Sequence, residues 1–208
     1  MKKNKIGILD LNAGNIFSVY KVFSQIDDNV EIIENYDSSQ SFSHIVVPGV
    51  ASFGMAVKNL KEKNFDILLN DFISKKKPIL GLCVGCQILF GTSSEFGFHN
   101  GLNFINGKVK KLPNEKYKGA KLPQVGWFRI KFNSENKLFH SINLSDFFYF
   151  THSFHCVPEK NENILATYNF HNEEIVAAVI KENIIGLQFH PELSSYAGKR
   201  ILKNFLKL

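Results

Sequence analysis

Arginine is nearly missing from this 208-residue chain: only Arg129 and Arg200 stand among its 25 basic residues. With 19 acidic residues the formal net charge is +6, a balance that alone would suggest a nucleic-acid partner. Short lysine runs (Lys75–Lys77, and Lys108 with Lys110 and Lys111) supply much of it, but no binding motif accompanies them. They read as a solvated surface, with no nucleic acid bound. Cysteine is scarce as well. Three residues, Cys83, Cys86 and Cys156, are an odd number, with two too close together to suggest a secreted disulfide framework. No run approaches the roughly 18 apolar residues of a membrane span. The opening MKKNKIGILDLNAGN is interrupted by Asp10, Asn12 and Asn15, so it is not a secretion signal. The expectation is a soluble cytoplasmic protein with no membrane contact.

What is present is ordinary for a globular chain, 44% hydrophobic and 21% charged, and long enough to bury a core without staples. Over the first ninety residues short apolar runs alternate with helical spacing. KIGILDL, VEII, HIVVPG and PILGLC read as buried strands. NIFSVYKVFSQI, opened by Gly14, reads as a helix, and AVKNLKEKNFDILLNDFISKK as one long or two short helices. Buried strands separated by helices indicate a parallel sheet covered on both faces. The second half is richer in strands: KVKKL, WFRIKF, FFYFTHSF and ILATYNF, then EEIVAAVIKENIIGLQFH as two strands joined near Lys181–Asn183. In the tail, Ala197, Ile201, Leu202, Phe205 and Leu206 share one helical face. The fold class expected is α/β, one domain over residues 1–208. It has a mainly parallel central sheet flanked by helices and an antiparallel β extension.

GLCVGCQ holds two cysteines at C-x-x-C spacing, which admits a redox pair, a metal knuckle or a single nucleophile. A metal site needs two more ligands, and Cys156 stands alone with no second knuckle. The flanks favour the nucleophile. Gly81-Leu82-Cys83-Val84-Gly85 is G-x-C-x-G at a strand-to-helix junction, the nucleophile-elbow pattern with sulfur for oxygen. Such a turn lifts the side chain above the carboxyl ends of the strands, where ligands bind in open α/β sheets. The start of the following helix should favour the thiolate. Cys86, three residues on, reads as a small packed side chain.

A free thiol, with a pKa of about 8.5, needs a base, and the base needs an orienting group. His190 ends an apolar strand in GLQFHPEL, and Glu192 follows after one proline. In extended chain i and i+2 point the same way, so Glu192 can hold one His190 tautomer and support the imidazolium. His152, in FYFTHSFH, is the next candidate, either a contact for substrate or partner or a structural strand histidine. His44, His99, His140 and His171 read as surface. For the oxyanion, the Val84 N–H follows the nucleophile directly, and the Val50 N–H in VVPGVASFG is the expected second donor.

With the elbow, PGVASFG and FHPE in that order, the chain resembles the class I (triad-type) glutamine amidotransferases over essentially its whole length. More narrowly it resembles the glutaminase subunits of imidazole glycerol phosphate synthase, through IGILDLNAGNIFSV, PGVASFGMAV, GLCVGCQILF, VGWFRI, FYFTHS and GLQFHPELSSYAGKRILKNF. The resemblance implies a flavodoxin-like architecture and L-glutamine as substrate, with neither cofactor nor metal. It implies Cys83 as nucleophile, with His190 and Glu192 completing the triad. Gln87 and Glu95 would contact glutamine, with Gly49, Val50 and the His152–Ser153 pair lining the same pocket. It also implies a heterodimer with a (β/α)₈-barrel cyclase subunit that takes the ammonia for imidazole formation in histidine biosynthesis. The chain departs from the family in PQVGWF, where Pro-x-Met-Gly-Trp-Asn is usual, at Ala51 and at Cys86. A second reading follows from related subunits that supply ammonia for amidine formation on a surface-glycan or flagellin-glycan sugar. A cysteine hydrolase of the same fold and a non-catalytic binder are further readings. The intact triad speaks against the binder, and PGV…FG and VGW together with His-Pro-Glu speak against the hydrolase.

Overall fold

A computed structural model describes residues 4–12, 15–37 and 41–208; Gly14, read above as the opening of the first helix, lies outside them. Nine strands of the described residues form one sheet in the order β2-β1-β3-β4-β13-β12-β11-β8-β9. Strands β1 (Ile6–Leu9), β3 (His44–Val47), β4 (Ile79–Leu82) and β13 (Ile184–Leu187) are buried along their whole length. With β2 (Val30–Ile33) at the edge they run parallel. Apolar runs without alternation suit strands covered on both faces.

The period of two in each strand then sorts side chains between two cores. Ile6, Ile8, Val46, Leu80, Leu82, Ile185 and Leu187 face α1 (Ile16–Ser24) and α5 (Ser195–Phe205). Leu9, Ile45, Val47 and Ile79 face α2 (Phe53–Glu62) and α3 (Phe65–Ser74). The long helical stretch is therefore two helices, broken where Asn64 takes a left-handed φ of 56°. All five apolar residues assigned to one face of the tail are buried.

The same period places His44 beside Val46, on the face that α5 covers. Its ring is 6% exposed and lies edge-on to Phe205 at 5.2 Å. The surface assignment made from sequence is wrong for this residue, because a strand's first position is already part of its buried face. His99 too is only half-buried, its ring lying over Gly54.

The second half of the sheet is antiparallel: β12 (Glu173–Lys181), β11 (Ile164–Phe170), β8 (Gln124–Phe132) and β9 (Phe147–His152). It curls until β9 meets the chain beyond β13, where Tyr149 and His190 form a bridge. The aromatic run expected as one strand divides at Ser153. Its second part, β10 (Phe154–Pro158), belongs to a smaller sheet. That sheet also contains β5 (Phe90–Ser93), β6 (His99–Asn100) and β7 (Ile105–Lys111), in the order β10-β7-β5-β6. No sequence signal marked β5 and β6, which are short and rich in polar residues, with Gly91 among them. Among the described residues no helix is long and apolar enough to cross a membrane.

Candidate active site

Strands β3, β4 and β13 lie side by side, so their carboxyl ends bring PGV, the elbow and QFHPE together. The elbow is strained as its pattern requires: Cys83 has φ 51° and ψ −108°. A Cβ on Gly85 would lie 1.8 Å from the Val47 carbonyl oxygen, and one on Gly81 would lie 2.5 Å from the Gly85 oxygen. Glycine is needed at both positions because backbone passes against backbone.

The helix after Cys83, α4 (Val84–Gln87), is a single turn. Its dipole is correspondingly small, so the expected help to a thiolate from a helix start is largely absent. Cys86 is 1% exposed and packs between Gly186 and Cys156, its sulfur 3.7 Å from that of Cys156.

His190 and Glu192 meet through Nδ1 and Oε1 at 2.7 Å, both side chains 3% exposed. The route differs from the extended one expected. Pro191 opens a single 3-10 turn over Pro191–Leu193, and the turn, rather than strand alternation, returns Glu192 beneath the imidazole. Burial disfavours a charged ring, but the Cys83 sulfur and the Glu192 carboxylate outweigh it and raise the His190 pKa to about 10. Among the described residues Nε2 is buried with no hydrogen-bond partner.

Sequence reasoning missed the residues that pin this turn. Ser194, wholly buried, donates from Oγ to the His190 carbonyl at 2.6 Å and accepts from the Tyr149 N–H at 2.9 Å. A Cβ on Gly198 would lie 2.0 Å from the Pro191 carbonyl oxygen. The spacing of Ser194 and Gly198, one turn apart at the start of α5, was the available signal.

The oxyanion donors are not assembled. The Val84 N–H donates to the Gly49 carbonyl at 3.3 Å. Across the trans Gly49–Val50 peptide the N–H points opposite to that carbonyl, so the Val50 N–H is turned away from the Val84 N–H. The pair expected to converge is thus one donor already occupied and one averted.

The remaining candidates occupy the same region with varied commitments. Gln87 is 3% exposed, its amide nitrogen donating to the Phe154 carbonyl at 2.8 Å. Glu95, between β5 and β6, accepts the Phe53 N–H at 2.6 Å and so caps α2. His152 bonds the Phe154 carbonyl through Nδ1 at 2.8 Å and the Tyr168 hydroxyl through Nε2 at 3.1 Å. Burial holds its pKa down to about 3, so it is neutral and neither ring nitrogen is spare. Ser153 is half-buried where β9 passes into β10.

A strained, buried thiol beside a carboxylate-braced imidazole can form and hydrolyse an acyl-thioester. Comparison with known proteins gives the family and the fold. The profile of the family described as glutamine amidotransferase class-I matches residues 8–208. An imidazole glycerol phosphate synthase subunit HisH from Sulfurimonas denitrificans is 36% identical over 203 residues, 97% of each chain. The subunit of the same name from Aquifex aeolicus is 36% identical over 199 residues, covering 95% of this chain and 94% of its own. That from Chlorobaculum tepidum is 34% identical over 198 residues, covering 95% and 97%. Among solved structures, PurLQS from Thermotoga maritima superposes with a TM-score of 0.75 at 17% identity, covering 99% of this chain and 98% of that one. A structure described as a glutamine amidotransferase gives 0.74 at 14% identity, covering 97% of each chain. At such identities the structures bear on the fold alone.

Proposed function

The chain belongs to the class I glutamine amidotransferase family, and on that premise we propose that it is the glutaminase subunit of an imidazole glycerol phosphate synthase. It hydrolyses L-glutamine and passes ammonia to a (β/α)₈-barrel cyclase in histidine biosynthesis. The observation that carries the chemistry is the His190–Glu192 pair, 2.7 Å apart and buried, at the same end of the sheet as the strained Cys83. The narrower identity rests on the three HisH relatives, each matched over nearly its full length. None of them is named for sugar amidination, and nothing in the site favours it.

In the proposed reaction the Cys83 thiolate attacks the side-chain amide carbon of glutamine. His190, charged at neutral pH, gives its Nε2 proton to the departing ammonia, and Glu192 steadies the ring. The resulting thioester is then cleaved by water that the neutral imidazole deprotonates, releasing glutamate. Gly49, Val50, Gln87, Glu95, His152 and Ser153 line the glutamine pocket. The His152 ring, with both nitrogens committed, contributes shape rather than a hydrogen bond.

The tetrahedral oxyanion needs two converging N–H groups. One rotation of the Gly49–Val50 peptide would free the Val84 N–H and deliver that of Val50. Docking of the cyclase is proposed as its trigger. Exposed apolar side chains beside the site support a docking face: Val125, Trp127 and Phe147 on β8 and β9, Leu193 and Tyr196 after His190. Trp127 touches Tyr149, and Tyr149 touches His190, at ring separations of 5.7 and 6.4 Å.

The test is glutamate release from glutamine by the chain alone and with the histidine-pathway cyclase of the same organism, with and without that cyclase's nucleotide ligand. Strong stimulation by cyclase and ligand together is expected, and its absence would sink the assignment to that pathway. Cys83→Ala should abolish hydrolysis while Cys86→Ala keeps most of it; the reverse would overturn the choice of nucleophile.

A further inference from the structure

One residue of the QFHPE segment has no part in the reaction described above. Gln188 is 1% exposed, and a buried amide must find partners at both ends. Its Oε1 accepts from Gln87 Nε2 at 3.1 Å, and its Nε2 lies 3.8 Å from the Cys83 sulfur. The two ends of an amide are alike in shape, so their direction is fixed only by what they bond. Here the series of bonds begins at a group that cannot be reversed. Gln87 Nε2 donates to the Phe154 backbone carbonyl, which only accepts. That turns the Gln87 nitrogen inward, and its second N–H turns Oε1 of Gln188 towards it. An N–H of Gln188 is left for the sulfur.

Besides the His190 ring, with which it interacts, the sulfur has two polar neighbours of opposite kind. The Thr151 carbonyl, at 3.9 Å, can accept from the thiol and disfavours the thiolate. Gln188 can donate to the thiolate, and a hydrogen bond to the charged form favours that form. We propose that Gln188 is a thiolate-stabilising residue of the active site, held donor-first towards Cys83 by a relay that runs from the Phe154 carbonyl through Gln87. The proposal rests on the reading of Cys83 as nucleophile. Gln188 favours the charged sulfur before attack and again when the thioester breaks, because the leaving group in that step is the same thiolate. Gln87 acts through Gln188 and is, in this respect, a positioning residue.

The test is the rate of alkylation of Cys83 by iodoacetamide as a function of pH, followed by peptide mass spectrometry on the full chain. In Gln188→Leu the midpoint of the profile should rise by about one pH unit, with alkylation at pH values below the midpoint slowed by up to roughly tenfold. Gln188→Glu keeps an acceptor for Gln87 but faces the sulfur with a carboxylate, so its midpoint should rise further. Ile201→Val, a loss of packing far from the sulfur, should leave the midpoint where it is. An unmoved midpoint in either Gln188 variant, shown by thermal unfolding to be folded, would overturn the proposal while Cys83→Ala remained inactive on glutamine. Glutamine hydrolysis surviving in Cys83→Ala would instead remove the nucleophile reading, and this proposal with it.

Discussion

After β13 the chain turns through His190 and Glu192 with imidazole and carboxylate 2.7 Å apart, whereas after β3 it turns through Gly49 and Val50 with the Gly49 carbonyl accepting the Val84 N–H. The two turns flank the same sulfur and differ in how they are held. The first is fastened by the buried Ser194 and by the close passage of Gly198 under Pro191. The second accepts a 3.3 Å hydrogen bond from Val84, and Val50 is 49% exposed. The imidazole and carboxylate thus sit in the fastened turn, whereas the Gly49–Val50 peptide, proposed above to rotate, leads into an exposed residue.

Glu192→Gln attacks the fastened side and should have the largest effect. The imidazole loses its anionic partner and its correct tautomer, and kcat for glutamine hydrolysis should fall on the order of ten-thousandfold, as for the equivalent change in serine hydrolases. A loss under tenfold would mean that this turn is only structural. The unfastened side should matter next most. If the Val50 N–H is the second oxyanion donor, saturating cyclase should raise kcat about 100- to 1,000-fold, and Val50→Pro, which has no N–H, should lose that gain. A Val50→Pro protein that is stimulated as fully as the unaltered chain would break the comparison.

Two stability measurements sharpen it further. Burial holds the pKa of His152 at about 3 and that of His155 at about 4, both below the ordinary 6.5. Below pH 6.5 the unfolded chain takes up protons that these folded histidines refuse, so Tm should fall as pH drops from 6.5 towards 4. His190 is raised to about 10 and acts in the opposite sense. Its contribution is whole below pH 6.5 and fades as pH rises towards 10, so Tm should pass through a maximum near neutrality. A flat profile from pH 4 to 6.5 would contradict the buried neutral state of His152 and His155. The smallest effect belongs to Glu95, whose carboxylate caps α2 just past the loose turn. Glu95→Ala should lower stability by about 1 kcal/mol in chemical denaturation. No change would show that the Glu95 bond contributes nothing to holding this segment.

The parts legible in the sequence were those whose chemistry lies in a few neighbouring residues. The elbow announces itself because two glycines must sit either side of Cys83, and His-Pro-Glu because one proline dictates the turn. Buried strands were legible through unbroken apolar runs, and α5 through its single apolar face. What stayed hidden depends on residues far apart in sequence. Gln188 acquires its direction from Phe154, thirty-four positions earlier, by way of Gln87. The Gly49 carbonyl blocks Val84 because two strands happen to be neighbours. His44 is buried because α5, at the other end of the chain, lies over it. A motif names the groups present, but the direction of a peptide or an amide depends on tertiary neighbours.

The bridge between Tyr149 and His190 has a further consequence, for association between molecules. Strand β9 is the last of its sheet, and a terminal strand exposes a row of unpaired N–H and C=O groups that invites another chain to add on. Here the Tyr149 carbonyl accepts the His190 N–H at 2.8 Å and its own N–H goes to Ser194. The turn that holds the imidazole therefore also covers the middle of that edge. A mutation that loosens it would expose a sticky strand as well as slow a reaction.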